Sequence, residues 1–467
     1  MDPLSFSRNQ PTDKTAVITE DEGSLTYGEI NAFSESIKKL IPDRCMVFCL
    51  CRNTIGSLCG YLAFVSNRIV PVMLDAGIDS QFLAGLIRSY KPRYLWIPDS
   101  RVSEFPEGQP IFRAYQYTLV KLEKNKPFPL HKDLALLLAT SGSTGGSKFV
   151  RISYENIRAN ASAIAEYLYI NEEERPITTL PMCYSYGLSV INSHLLKGAT
   201  LLLTARSFME KAFWTFLKEQ KASSMAGVPW SYQILDKLHF ERMDLPHLKT
   251  LTQAGGRLNP DLDRKISEYC QQSGRRFFVM YGQTEATARM SWRPPKDALT
   301  EAGSIGIPIP GGTLSLVDEQ GKEISGADQE GELVYRGKNV SMGYATGWED
   351  LDKGDENHGI LFTGDLARRD EDGYYYIVGR KSRFIKIFGN RVSLDETETL
   401  LERLTECACT GKDDRMIIYI TDKERKAEVE QVMARTGIHP AGFTVRHCAG
   451  IPKNPAGKTL YTELDIT

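Results

Sequence analysis

Several stretches of this chain carry residues suited to phosphate or carboxylate chemistry. Thr140-Ser-Gly-Ser-Thr-Gly-Gly-Ser-Lys148 follows the apolar run Leu134–Ala139 and combines glycines, hydroxyls and a terminal lysine. Glycine lets backbone N–H groups approach a ligand, hydroxyls donate hydrogen bonds and lysine adds positive charge, a combination suited to polyphosphate. The spacing departs from the ordinary P-loop, because Ser147 stands where a glycine must precede the lysine. Taken alone, the stretch reads equally as a Ser/Gly turn. Tyr281-Gly-Gln-Thr-Glu285 follows the strand-like Phe277–Met280, at the end of a strand where α/β sheets gather ligands. Glu285 there suits Mg²⁺ and Thr284 a phosphate, although an isolated pentapeptide of this kind is more often a solvated loop. Phe362-Thr-Gly-Asp365 offers a carboxylate able to accept from a ribose diol, and Gly-Asp also marks turns. The segment from Arg380 to Arg391 packs five cations into twelve residues, on a connector or a basic surface strand. Pro452-Lys-Asn-Pro-Ala-Gly-Lys458 places a lysine on a Pro/Gly loop, with Pro452 where a P-loop needs its first glycine.

These residues must be positioned by the elements around them. Thr26-Tyr-Gly-Glu29 is a capping box, and Ile30, Phe33, Ile37 and Leu40 follow at helical spacing. Strands are predicted at Met46–Leu50, Ile69–Met73 and Tyr94–Ile97, with helices over 54–65 and 81–90 between them, the second capped by Asp79 or Ser80. Such alternation implies a parallel sheet covered on both faces. The pattern resumes with a helix around 156–168 and strands at Thr178–Leu180, Thr200–Thr204 and Phe277–Met280. Past Pro294 the texture changes to Gly/Pro-punctuated short strands such as Thr313–Val317, Gly331–Tyr335 and Tyr374–Val378. Helical spacing returns at Leu394–Leu404. The expected class is α/β: an N-terminal domain over 1–379 with parallel-rich layers and a β-rich subdomain at about 303–379, then a small α+β domain over 380–467.

Composition limits the partners. With 57 basic and 59 acidic side chains in 467 residues the net charge is −2, so no broad footprint for nucleic acid or anionic membrane is expected. No apolar run approaches the ~18 residues that cross a bilayer, and the first residues lack a signal-peptide pattern, so no membrane insertion and a cytoplasmic location are expected. Nine scattered cysteines without a C-x-x-C pair fit reduced, buried thiols.

Taken together and in this order, the segments resemble the adenylate-forming superfamily of acyl-CoA synthetases, peptide-synthetase adenylation domains and firefly-type luciferases. The matching residues are Leu25-Thr-Tyr, Thr140 to Lys148, Gln253-Ala-Gly-Gly256, Tyr281 to Glu285, Gly303 to Gly311, Gly331-Glu-Leu333 with Gly343-Tyr344, Thr363-Gly-Asp365, Gly379-Arg380, Ile385-Lys386 with Gly389 and Arg391, and Pro452 to Lys458. The resemblance implies an enzyme that joins a carboxylate to the α-phosphate of ATP and then passes the acyl group to a phosphopantetheine thiol, of CoA or of an acyl or peptidyl carrier protein. Residue by residue it implies that Thr140, Ser141, Gly142, Ser143, Thr144, Gly145 and Lys148 clamp phosphates, and that Glu285 and Thr144 serve Mg²⁺. Gly255 and Gly256 would lie along adenine, with Tyr281, Gly282 and Thr284 at the nucleotide. Asp365 with Arg380 would hold the ribose, and Arg391 would sit near phosphate. Lys458 would bridge the carboxylate and α-phosphate. The C-terminal domain would be mobile about a hinge at Ser382, bringing the Lys386 to Gly389 face to the thiol channel in the second half-reaction.

Departures from the family pattern bear on the substrate. In Pro181-Met-Cys-Tyr-Ser-Tyr-Gly187, Tyr184 occupies the place of a histidine often found beside the acyl carboxylate. Gly187 stands where amino-acid-activating members carry an aspartate, without which an α-ammonium would be buried unpaired. A small acyl or aryl acid lacking an α-amino group is therefore expected, bordered by Tyr184, Ser185, Trp230, Gly256 and Gln283; an amino-acid-activating enzyme and a nucleotide-binding homologue without ligase activity are the alternatives. Ser382 replaces a charged hinge residue, Phe149 follows Lys148 where glycine is common, and Tyr461 stands where arginine often follows the catalytic loop.

Overall fold

The computed structural model describes residues 10–139, 148–387, 390–412, 414–436, 438–454 and 458–464, with the backbone alone at 382, 384, 386, 390, 391 and 435. Contacts divide the chain into two compact units, Met1–Thr313 with Tyr335–Leu361, and Leu314–Val334 with Phe362–Thr467.

The first unit is α/β with two large mixed sheets. Thr26 caps helix α1 (Tyr27–Leu40): its hydroxyl accepts from Glu29 N at 3.1 Å while the Glu29 carboxylate accepts from Thr26 N at 2.7 Å, the reciprocal box read from the sequence. The eight-stranded sheet runs Tyr344–Ala345, Phe149–Ser153, Leu134–Ala139, Val70–Asp75, Met46–Cys51, Tyr94–Pro98, Tyr117–Lys121, Gln109–Ala114. Its four central strands are parallel, and it is flanked by antiparallel strands on both sides. Met46–Cys51 is buried on both faces, as a strand between helical layers must be, which explains its uninterrupted apolar composition. Helices α2 (Ile55–Ser66) and α3 (Ser80–Tyr90) supply the crossovers, Asp79 capping α3 by accepting from Gln81 N and Phe82 N at 2.9 Å each.

The nine-stranded sheet runs Ile307–Pro308, Ser291–Arg293, Arg276–Tyr281, Thr250–Gln253, Ser224–Gly227, Pro176–Ile177, Leu201–Leu203, Thr15–Thr19, Ser24–Thr26. The helices of this part of the chain are α4 (Tyr154–Tyr167), which packs on α5 and on strands of the eight-stranded sheet, α5 (Ser185–Leu196), α6 (Lys211–Glu219), α7 (Pro229–Lys237) and α8 (Pro260–Gln272). The strand expected at Thr178–Leu180 is displaced: only Pro176–Ile177 joins the ladder. Beyond it side chains take over, the Thr178 hydroxyl donating to Thr204 O and accepting from Thr204 N, and the Thr179 hydroxyl donating to Ala226 O. Proline at 181 lacks the N–H a further rung needs.

The second unit is built on a five-stranded sheet, Glu323–Ile324, Gly312–Val317, Glu330–Gly337, Ile360–Arg369, Tyr375–Arg380, and a three-stranded sheet, Cys407–Lys412, Arg415–Ile420, Phe443–His447. Residues 314–334 and 362–379, about half of the β-rich subdomain, therefore cluster with the C-terminal residues. A hairpin of Phe384–Ile387 and Asn390–Ser393 and helices α9 (Leu394–Leu401) and α10 (Lys426–Arg435) complete it; the helical segment expected to Leu404 ends at Leu401. All nine cysteines are free, and no described helix is long and apolar enough to cross a membrane.

Two buried side chains tie the first unit together. Arg151 has no exposed side-chain surface, and its guanidinium donates to Met342 O at 2.9 Å, Tyr344 O at 3.0 Å, Gly354 O at 3.1 Å, Lys353 O and the Glu356 carboxylate. His194, on α5, has its Nδ1 2.8 Å from Val190 O, and burial pushes its imidazole down to about 4.

Arg151→Met strands several carbonyls at once and is expected to cost about 3–5 kcal/mol in urea unfolding; a loss below about 1 kcal/mol would show that these contacts do not hold the 342–356 segment. For His194, the unfolded chain takes up a proton near 6.5 and the native chain only near 4. Stability therefore falls as pH drops through that window. Between pH 7 and pH 5 the wild type is expected to lose about 2 kcal/mol more than His194→Gln, measured by urea unfolding at both pH values; equal losses would refute a buried neutral imidazole.

Candidate functional site

Three of the segments matched separately in the sequence, ending at Lys148, Glu285 and Tyr344, meet in the first unit. Lys148 opens the strand Phe149–Ser153, and its ammonium lies 3.1 Å from the centre of the Tyr344 ring. The Tyr344 hydroxyl donates to Glu285 Oε1 at 2.8 Å, so Tyr344 links a cation and a carboxylate from two distant motifs. Burial, then the adjacent Glu285 charge, push the Tyr344 phenol above its ordinary range. Phe149 is buried with its ring 4.9 Å from Tyr90, edge-on, which anchors the strand at the point where Lys148 leaves it. A glycine there would forfeit that aromatic contact.

The Tyr281–Glu285 loop leaves the strand Arg276–Tyr281 and turns sharply. A Cβ at Gly282 would collide with the Ala288 carbonyl, so only glycine fits the crossing. Thr287 adopts φ 67°, a region costly for a β-branched residue, and its hydroxyl donates to Asn339 O at 2.7 Å. Asn339 in turn donates to Ala286 O at 2.9 Å and Arg289 O at 3.2 Å, and Asn160 to Arg289 O at 3.0 Å. Ser341 N donates to Glu285 O at 2.8 Å. Buried amides thus set the backbone that presents Thr284 and Glu285.

Ser185, at the start of α5, lies 3.1 Å from the Thr284 hydroxyl, joining the 181–187 segment to this loop. Gly255 follows the strand Thr250–Gln253 with φ +87°, and a Cβ there would stand 2.7 Å from the Tyr184 hydroxyl. Burial pushes the Tyr184 phenol up to about 12, so it serves as a neutral hydrogen-bonding group. Gln253 donates to Gly256 O at 2.9 Å, while its buried Oε1 has no partner among the described residues. Gln283 Nε2 donates to the Tyr281 hydroxyl at 3.3 Å. Trp230 is 45% exposed on α7 and is therefore no core residue. Gly187 is closed to any side chain, since a Cβ would strike the Pro181 carbonyl.

In the second unit Asp365 and Arg380 are cross-strand partners, Arg380 Nε donating to Asp365 Oδ1 at 3.1 Å. The Lys458 backbone closes a loop with Asn454 through bonds of 2.9 and 3.0 Å, beside the bridge between Lys453 and Thr459. Positions 386 and 391 are backbone ladder partners in the 384–393 hairpin, which carries Lys386 and Arg391. Ser382 lies in the short turn Lys381–Arg383, and Asp395 accepts from Arg380 N at 3.1 Å and from Arg383 Nε, binding both sides of that turn. Tyr461 donates to Glu398 at 2.9 Å and carries the Arg383 guanidinium 3.7 Å over its ring. Thr140, Ser141, Gly142, Ser143, Thr144, Gly145 and Gly389 lie outside the described residues.

The donor set fits a Mg²⁺-nucleotide. Mg²⁺ uses one or two carboxylates with phosphate oxygens, a requirement Glu285 meets alone; the glycine turns at 255 and 282 allow close backbone approach, and Gln253 keeps an acceptor free. Sequence reading counted Tyr344 only as part of a match and passed over Arg151, Asn339 and Arg289, since nothing nearby in the chain marks a buried arginine as an anchor.

Known proteins bear on this geometry. The chain is 28% identical to "4-coumarate–CoA ligase-like 2" of Arabidopsis thaliana over 94% of its length and 76% of the relative's. It is 28% identical to the luciferin 4-monooxygenase of Photuris pensylvanica over 72% of its length, spanning 65% of that protein. In fold it is similar to the O-succinylbenzoate coenzyme A synthetase (MenE) of Bacillus subtilis solved with AMP, at TM-score 0.81 and 20% identity over 100% of this chain and 98% of that one. It is likewise similar to ATP-bound MatB of Rhodopseudomonas palustris, at TM-score 0.78 and 21% identity over 99% and 98%. Residues 5–345 match the family described as AMP-binding enzyme, and the chain belongs to this adenylate-forming family.

Proposed function

We propose that this chain is an ATP- and Mg²⁺-dependent acid–thiol ligase of the AMP-forming kind. The observation that carries the reading is the convergence, in one unit, of Lys148, Tyr344 and Glu285, with Ser185 and Thr284 beside them. A carboxylate oxygen attacks the α-phosphorus of ATP, the bond to the β-phosphate breaks, and pyrophosphate leaves with an acyl-AMP formed. A thiol sulfur then attacks the acyl carbon, losing its proton, and AMP departs. The first step spreads negative charge over the transferred group, so positioning and electrostatic stabilisation dominate.

In this reading Lys148, with Thr140 to Gly145, holds the leaving pyrophosphate, and Tyr344 orients both Lys148 and Glu285. Glu285 and Thr144 hold Mg²⁺, which supplies charge neutralisation when bound. Gly255, Gly256, Tyr281 and Gly282 line the nucleotide; Asp365 and Arg380 take the ribose. Lys458 and Arg391 act at the phosphate during adenylation. The domain over 380–467 then turns about Ser382 so that the Lys386 to Gly389 face serves the thiol of CoA or of a carrier protein. Rotation there requires Asp395 to release Arg380 N or Arg383. The acid is bordered by Tyr184, Ser185, Gly256, Gln283 and Trp230 and carries no α-ammonium, because Gly187 admits no counter-charge. Several relatives and neighbours bear CoA-ligase names, which supports the thiol step.

Acid-dependent exchange of labelled pyrophosphate into ATP, run over a broad acid panel, is the test; no exchange with any acid would overturn the reading. Lys458→Ala is expected to lose exchange by about 100-fold or more. Gly389→Trp is expected to retain exchange and lose thioester formation. Equal loss of both half-reactions in both variants would contradict a two-face C-terminal domain.

A further inference from the structure

A cavity in the first unit lies against α5 and the nine-stranded sheet. Its walls include the apolar Ile177, Val190 and Met225, with Thr252, His194 and Arg289. Arg289 is 2% exposed. Its Nη1 donates to the Tyr167 hydroxyl and to the Met280 sulfur at 3.3 Å each, and its guanidinium carbon stands 4.9 Å from the centre of the Tyr186 ring. Its Nε has no partner, and among the described residues no carboxylate forms an ion pair with it. Glu174 also lines the cavity, but it accepts from the Ser223 hydroxyl and lies 4.0 Å from Arg276. A phenol, a thioether and an aromatic face do not replace a carboxylate, and a buried cation left without its counter-charge is expensive. Arginine stays protonated at any working pH, so the deficit persists until an anion arrives.

The cavity adjoins the proposed acid site. Thr252 lies on the strand that runs directly into Gly255 and Gly256, and its hydroxyl is 2.8 Å from that of Tyr186. The Tyr186 ring packs edge-on against Tyr184 at 6.4 Å. From Tyr184, α5 leads to Val190 and His194, roughly 9 to 15 Å farther on at 1.5 Å per residue. Tyr186, packed on Tyr184 and bonded to Thr252, thus joins the proposed acid site to the wall that carries Arg289.

We propose that Arg289 is a specificity-determining residue, and that the preferred substrate is a dicarboxylic acid whose second carboxylate pairs with Arg289 across this cavity. The proposal rests on the acid-activating reading above. It narrows the substrate from a plain acyl or aryl acid to one carrying a second negative charge, and it assigns that charge to the Arg289 guanidinium, with which no described carboxylate forms an ion pair. A site built to hydrogen-bond a charged group rejects an analogue lacking it far more strongly than an apolar pocket rejects a change of size.

The experiment is pyrophosphate exchange with short aliphatic and aryl dicarboxylic acids, each set beside its monomethyl ester, which keeps the shape and removes one charge. The wild type is expected to favour at least one diacid over its half-ester by about 100-fold in kcat/KM. Arg289→Met is expected to abolish that ratio while still exchanging the half-ester, and Arg289→Lys to restore part of it. Exchange with plain monoacids or half-esters at rates equal to the diacids would overturn the dicarboxylate proposal and leave acid activation standing, as would an unchanged ratio in a folded Arg289→Met. Exchange with no acid of any class would overturn acid activation itself and the proposal with it. Should Arg289→Met fail to fold by circular dichroism, the wild-type ratio decides.

Discussion

The site depends on one buried guanidinium. Arg151, on the strand after Lys148, gathers carbonyls of Met342, Tyr344, Lys353 and Gly354 together with the Glu356 carboxylate. Those carbonyls belong to a segment with little helix or sheet to satisfy them, and buried carbonyls left unpaired are costly. Arginine answers this because its planar fork carries several donors in one rigid group. The consequence reaches the chemistry: holding Tyr344 O fixes the ring that stands between the Lys148 ammonium and the Glu285 carboxylate.

The same logic extends along the motif loop. Asn160 and Asn339 hold the carbonyls of Ala286 and Arg289, and Thr287 accepts a strained φ because its hydroxyl reaches Asn339 O. Glu285 is therefore presented by a backbone held from behind by neutral buried amides. Glu285 gives one carboxylate oxygen to the Tyr344 hydroxyl, and the bonds that fix its backbone come from neighbouring side chains and main chain. Arg289 differs: its carbonyl is held twice, while its buried side chain forms no ion pair with a carboxylate among the described residues.

Much of the fold was legible where its causes are local. The Thr26–Glu29 box, the Asp79 cap and the apolar run Met46–Cys51 each express a period or a donor–acceptor match within a few residues. The misreadings arose where a long-range choice overrode a local pattern. Thr178–Leu180 has strand-like residues, yet its hydroxyls bond to Thr204 and Ala226 instead of extending a ladder. Phe149 looked anomalous beside Lys148 until its ring was found against Tyr90. The absence of a counter-charge at Gly187, read from the sequence, has a steric cause that only the fold supplies: the Pro181 carbonyl leaves no room for any side chain there.

By itself the sequence determined the α/β class, the helix starts and the presence of motifs whose residue types suit phosphate and carboxylate, because composition, period and motif order need only neighbouring residues to be read. Tertiary structure alone decided which of them stand together. Arg151 and Tyr344 are separated by 193 positions, and Tyr344 and Glu285 by 59. Contacts across such intervals follow from the order of strands in a sheet and the space left between buried side chains, and neither is written in any short stretch of chain. The setting of Arg289 belongs to the same category, since an arginine two residues before a strand looks ordinary until no carboxylate among the described residues proves to be ion-paired with it.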